Sequence, residues 1–104
     1  MSEQEGSMDR KTLNECRKRR QGVQRMIDAR DARAVAYTIL LIRKVTRWVD
    51  QIEDGLTRNV FRMYYLDGLS WAEIAEKIGR TGRPDWPRIR VRDAYLKQPG
   101  VLEA

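Results

Sequence analysis

The chain has 104 residues, a formal net charge of +6 and 35% charged side chains, enough for one small domain with a modest core. One cysteine and no histidine exclude an intrachain disulfide, Cys/His zinc sites and Ser-His-Asp or Cys-His nucleophiles. The longest apolar run, Ala34 to Ile42, is too short to span a bilayer. No signal-peptide pattern opens the chain, so a cytoplasmic protein without a membrane partner is expected.

Only 3 prolines and 7 glycines punctuate the sequence. Long stretches without breakers, and no sustained apolar–polar alternation, predict an all-α fold. Residues 1–8 are polar and are expected to be disordered. From Asp9 the composition turns helical. Leu13, Cys16, Val23 and Ile27 fall near one face, which predicts a first helix over 9–29. Gly22 weakens that helix by about 1 kcal/mol relative to alanine.

A second helix is predicted over 31–54. Thr38, Leu41, Val45, Trp48 and Ile52 step by three and four, and Val35, Ile39, Ile42 and Val49 form a second apolar row. Gly55 reads as its stop. Residues 9–55 then form a helical hairpin. Its seam either packs within the chain or joins two copies as a homodimer through residues 31–54.

Thr57 reads as the cap of a third helix over 58–66, ended by Asp67-Gly68. Ser70 caps a fourth helix and has Glu73 three residues on, the pattern of a capping box. Trp71, Ile74, Ala75 and Ile78 share its inner face, and Gly79 closes it. After the connector Arg80–Pro84, Asp85 reads as an N-cap and Pro87 suits a first turn. The last helix is expected to run to about Gln98, leaving 99–104 as a tail.

Charge is unevenly spread. Residues 9–33 carry nine basic and four acidic side chains, 34–79 six of each, and 80–97 six basic and two acidic. Basic blocks on both sides of a neutral middle suggest a polyanionic partner. In a helix–turn–helix the two helices cross closely. Ala75 supplies the small residue at such a crossing, and Gly79 supplies the turn four residues later.

Residues Arg62 to Ala75, with the run Tyr64-Tyr65-Leu66-Asp67-Gly68-Leu69-Ser70-Trp71-Ala72-Glu73-Ile74-Ala75, resemble region 4 of bacterial sigma factors. They also resemble the small phage regulators built on that module, of the ArpU and RinA type. Val91 to Leu96 resembles the end of that family's recognition helix, although Arg80 to Pro87 is a longer connector than the family's. The likeness spans Val60 to about Leu96. It implies a helix–turn–helix module over 56–98 whose last helix enters the DNA major groove.

On that reading Arg88, Arg90 and Arg92 are candidates for base contacts, since arginine can bond a guanine edge in bidentate fashion. Arg80, Thr81 and Arg83 would hold phosphates near the turn, with Lys97 at the far end. Asp50, Glu53 and Asp54 cluster at the end of the second helix, but they lack the further oxygen ligands of a metal site. There is no glycine-rich phosphate loop. No enzyme activity, cofactor or metal is therefore expected.

The function expected is a sequence-specific DNA-binding transcription regulator of phage or prophage origin. Double-stranded DNA is its partner, and RNA polymerase a further candidate. Two alternatives stand beside it: an adaptor that contacts polymerase or another protein, and a small terminase-type DNA-packaging protein.

Overall fold

The computed structural model describes residues 8–103, and among them only helices form regular structure. Six helices follow in chain order. α1 is Arg10–Gln21, α2 is Val23–Asp28 and α3 is Ala32–Asp50. α4 is Gly55–Phe61 and continues through a wider π-helical turn, Arg62–Leu66; α5 is Trp71–Lys77. α6 is wound as a π-helix over Trp86–Asp93 and finishes as α-helix over Ala94–Leu96.

Several boundaries differ from the sequence expectation, each for a local reason. Gly22 does more than weaken the first helix. At φ −97° and ψ 4° it breaks it, separating α1 from α2. The chain reverses at Arg30, which sits at φ 57°. There the Asp31 amide donates back to the Met26 carbonyl, and the Asp31 carboxylate accepts from the Ala34 amide at the start of α3. One aspartate thus closes one helix and opens the next.

α3 stops at Asp50, with Gln51 as its C-cap, rather than at 54. Gly55 begins α4 instead of ending α3. Asp54, not Thr57, is the α4 cap: its carboxylate accepts from the Thr57 amide at 2.9 Å and from the Thr57 hydroxyl at 2.8 Å. These bonds hold the Asp54 carboxyl below its ordinary range. α6 ends at Leu96, two residues before Gln98.

The main core gathers Leu13 and Cys16 from α1, Leu41, Val45, Trp48 and Val49 from α3, and Phe61, Tyr65 and Leu96 from the C-terminal helices. Edge-on aromatic contacts tie it together: Trp48 lies 5.7 Å from Phe61, and Phe61 lies 5.4 Å from Tyr95. Every residue of the seam Thr38, Leu41, Val45, Trp48 and Ile52 is buried within the chain. That seam packs against the chain's own helices.

The chain ends join this core. Met8 is 2% exposed rather than part of a polar leader, and Val101 and Leu102 of the expected tail pack against the same cluster. The Glu103 amide donates to the Met8 carbonyl at 2.8 Å. Residues 1–7 lie outside the described residues.

A second, smaller cluster takes one buried residue from each of the last three helices: Val60 of α4, Ile74 of α5 and Val91 of α6. Met63, Leu69, Ile78 and Trp86 close around it.

Candidate nucleic-acid interface

The site is built outward from α5. The Ser70 hydroxyl accepts from the Glu73 amide at 3.2 Å, and the Glu73 carboxylate accepts from the Ser70 amide at 2.8 Å. This is the capping box expected from the sequence. The bonds hold the Glu73 carboxyl below its usual range.

At the other end Gly79 takes φ 81°. The Gly79 amide donates to the Glu76 carbonyl, and the Arg80 amide donates to Ala75 at 2.7 Å. This paired closure needs a left-handed residue in the middle, which glycine supplies without a Cβ clash. It turns the chain sharply out of α5.

The connector then makes two further turns, with Arg83 bonded to the Arg80 carbonyl and Trp86 to the Arg83 carbonyl. The Arg80 guanidinium lies over the Trp86 indole, 4.0 Å from the ring centre. Arg80 is exposed but held in place as a cation–π partner. Thr81 and Arg83 stand exposed on the connector.

α6 presents its residues unequally. Pro87, Val91 and Leu96 are buried, four and then five residues apart. That spacing suits the i→i+5 bonds of a π-helix, whose period exceeds four residues. Asp85 does not cap the helix: its own backbone is already helical, and its carboxylate accepts instead from Arg88 at 2.8 Å.

Arg92 departs most from expectation. Its side chain is 16% exposed. Its Nε donates to Asp93 at 2.7 Å, and one Nη donates to the Tyr65 hydroxyl at 3.4 Å. Burial raises the Tyr65 phenol above its ordinary range, against the opposing pull of Arg92. The guanidinium lies 5.0 Å from the Trp71 ring centre and 5.7 Å from Tyr64. A side chain held this way packs the protein together.

Arg92 shares that seam with Arg17, which reaches across from α1. Arg17 donates to the Tyr64 carbonyl at 2.6 Å and to the Leu69 carbonyl at 3.0 Å. It also covers the Tyr64 ring at 3.9 Å. Tyr64 in turn stacks on Trp71 with ring centres 3.9 Å apart and planes 14° apart. The turn between α4 and α5 is thereby clamped to α1. In the sequence Arg17 is one of nine basic residues between 9 and 33, and nothing near it in the chain marks out its partner.

The expected site residues therefore divide. Arg83, Arg90 and Lys97 are exposed and make no ion pair among the described residues. Thr81 is exposed beside them. Arg80 and Arg88 are accessible but occupied, and Arg92 is structural. Gly82, Arg83, Pro84, Asp85, Trp86, Ile89 and Arg90 line a shallow cleft of about 240 Å³ along the outer side of α6. Ile89, which charge patterning alone does not single out, is 45% exposed in it.

The acidic group at the end of α3 has ordinary structural partners. Asp50 binds Arg62, and Asp54 caps α4. In the N-terminal basic block Arg19 pairs with Glu15 at 2.7 Å, while Lys18, Arg20 and Arg25 are exposed. No helix among the described residues is long and apolar enough to cross a membrane. Compared with protein-family models, with curated proteins and with solved structures, the chain matches none.

Proposed function

We propose that this chain is a sequence-specific DNA-binding transcription regulator without enzyme activity. It joins an N-terminal helical hairpin to a C-terminal helix–turn–helix of the sigma region 4 type and lodges α6 in the major groove of duplex DNA. One observation carries the reading. α4, α5 and α6 each give one residue to the Val60–Ile74–Val91 cluster, so a three-helix unit holds α6 by one side. Its other side carries Arg90, with Arg83 and Lys97 at its two ends.

The residue roles follow from their surroundings. Arg90 reads a base edge, while Arg83, Thr81 and Lys97 hold phosphates. Arg80 and Arg88 lend charge from fixed positions, and Arg92 positions the helix.

The test is duplex binding by the full chain across a salt series. Affinity is expected to fall steeply with salt, and replacing Arg83 and Lys97 by alanine lowers the log–log slope by about one per lost phosphate contact. Binding that is insensitive to salt, or unchanged after Arg83, Arg90 and Lys97 are all replaced, sinks the reading.

A second reading, a protein adaptor, is favoured by one further feature. Ile27, Tyr37, Ile39 and Leu40 are 49%, 50%, 43% and 62% exposed on α2 and α3. Exposed apolar side chains of this kind suit a protein partner, whether polymerase or a second copy. Light scattering on the chain and on Leu40→Glu separates the cases. A dimer lost in the variant supports self-association, a ring of many copies supports a packaging role, and a monomer throughout leaves only a foreign partner for that face.

A further inference from the structure

We propose that Ile89 is a specificity-determining residue of this interface: it reads the 5-methyl group of a thymine next to the guanine contacted by Arg90. The inference rests on the DNA-binding reading and extends it to a base step.

Five observations bear on Ile89 and its cleft. It is the exposed large apolar side chain of α6, at 45%, in a cleft whose charged lining is Arg83, Asp85 and Arg90. Its backbone is held from behind, because Pro87 and Val91 on either side of it are buried. It lines one cleft together with Arg90, Arg83 and Trp86. Trp86 is fixed there by the Arg80 guanidinium at 4.0 Å. The one carboxylate in the cleft, Asp85, is already neutralised by Arg88 at 2.8 Å, so it does not repel a polyanion.

The chemistry of the groove supplies the occupant. A β-branched side chain has few rotamers, so Ile89 offers a fixed methyl surface and loses little entropy on contact. Along the floor of a B-form major groove the apolar feature is the thymine methyl, and the guanine N7 and O6 are the acceptors that suit an arginine. Neighbouring residues that present one apolar and one cationic group match neighbouring bases of those two kinds. Double-stranded RNA fits poorly, since uracil lacks the methyl and the A-form major groove is too narrow for side chains to read.

The experiment begins with the full chain selecting sites from a random duplex pool. Each thymine of the enriched site is then replaced, one at a time, by deoxyuracil, which removes only the methyl. One position is expected to weaken wild-type binding by about three- to fivefold, the worth of burying one methyl group. Ile89→Ala should bind the thymine and deoxyuracil duplexes equally, and Ile89→Val should keep the difference.

A flat response of the wild type at every position overturns the role of Ile89 and leaves DNA binding intact. So does an Ile89→Ala variant as sensitive as the wild type. Failure to enrich any site, or tighter binding to an RNA duplex, overturns the DNA-reading itself together with this inference.

Discussion

Two stretches of α6 carry the same side chain and use it in opposite ways. Arg90 faces water without an ion partner, whereas Arg92, two residues on, is enclosed by Tyr64, Tyr65, Trp71 and Asp93. The contrast repeats across the molecule. Arg17 clamps the α4–α5 turn through two backbone carbonyls, while Lys18, beside it, is exposed. Basic charge in this chain is thus two populations. One is packing material, in which a planar guanidinium stacks on rings and satisfies buried acceptors. The other stands exposed to solvent. Net charge counts both alike, and only the aromatic neighbours tell them apart.

The largest expected effect tests that division directly. Arg92→Ala should cost about 2 kcal/mol in denaturant unfolding, since it removes ring contacts and leaves the Tyr65 hydroxyl without its partner. Arg90→Ala should leave stability within about 0.5 kcal/mol while weakening duplex binding. Equal stability losses in the two variants would erase the distinction. Arg92→Lys sharpens it: charge is kept but the flat stack is lost, so most of the destabilisation should remain.

A smaller effect probes how firmly α5 is held. Ser70→Ala should cost about 1 kcal/mol, the usual worth of an N-cap. The same cap carries a pH signature. The Asp9, Asp54 and Glu73 carboxyls are all held below their ordinary values, first of all by bonds from backbone amides at helix starts. A carboxyl with a depressed folded-state pKa adds stability above its unfolded pKa and loses it as pH falls through the folded one. Stability should therefore decline below the ordinary carboxylate range, and Ser70→Ala should flatten part of that decline. A wild-type melt indifferent to acid would contradict the capping geometry.

The smallest effect lies at the far end of the molecule. Arg30 occupies the left-handed region at φ 57°, a conformation that costs a side-chain-bearing residue roughly 1–2 kcal/mol. Arg30→Gly relieves that cost but adds unfolded-chain entropy, so a net gain of about 0.5–1 kcal/mol is expected from thermal unfolding. A loss would mean that the Arg30 side chain does more than pass through the turn.

Much of the fold was legible in the sequence because it depends on short-range rules. The Ser70–Glu73 capping box and the Gly79 closure involve bonds across three to five residues, and both lie where the spacing predicted them. The α3 seam was equally readable, since its three-and-four stepping is the signature of one helical face. What covers that seam was not: the same stripe fits a partner copy or the chain's own α1. Long-range contact resolved it in favour of the chain's own helices.

α6 was the least legible element, and the reason is its winding. Pro87, Val91 and Leu96 make no clean stripe at 3.6 residues per turn, yet they line up on a helix with i→i+5 bonds. By residue type alone Arg88, Arg90 and Arg92 looked equivalent. Neighbours brought from elsewhere in the chain and from the connector separate them: an ion pair with Asp85, open solvent, and an aromatic seam.

By itself the sequence determined that this protein is helical, where α5 starts and stops, and that its charge gathers before and after a neutral middle. These follow from composition and from interactions between near neighbours in the chain. The tertiary structure alone decided which arginines are spent inside the molecule and which stay exposed. That choice depends on rings and carbonyls brought from positions as far apart as 17, 64 and 92, and no local pattern encodes such a meeting.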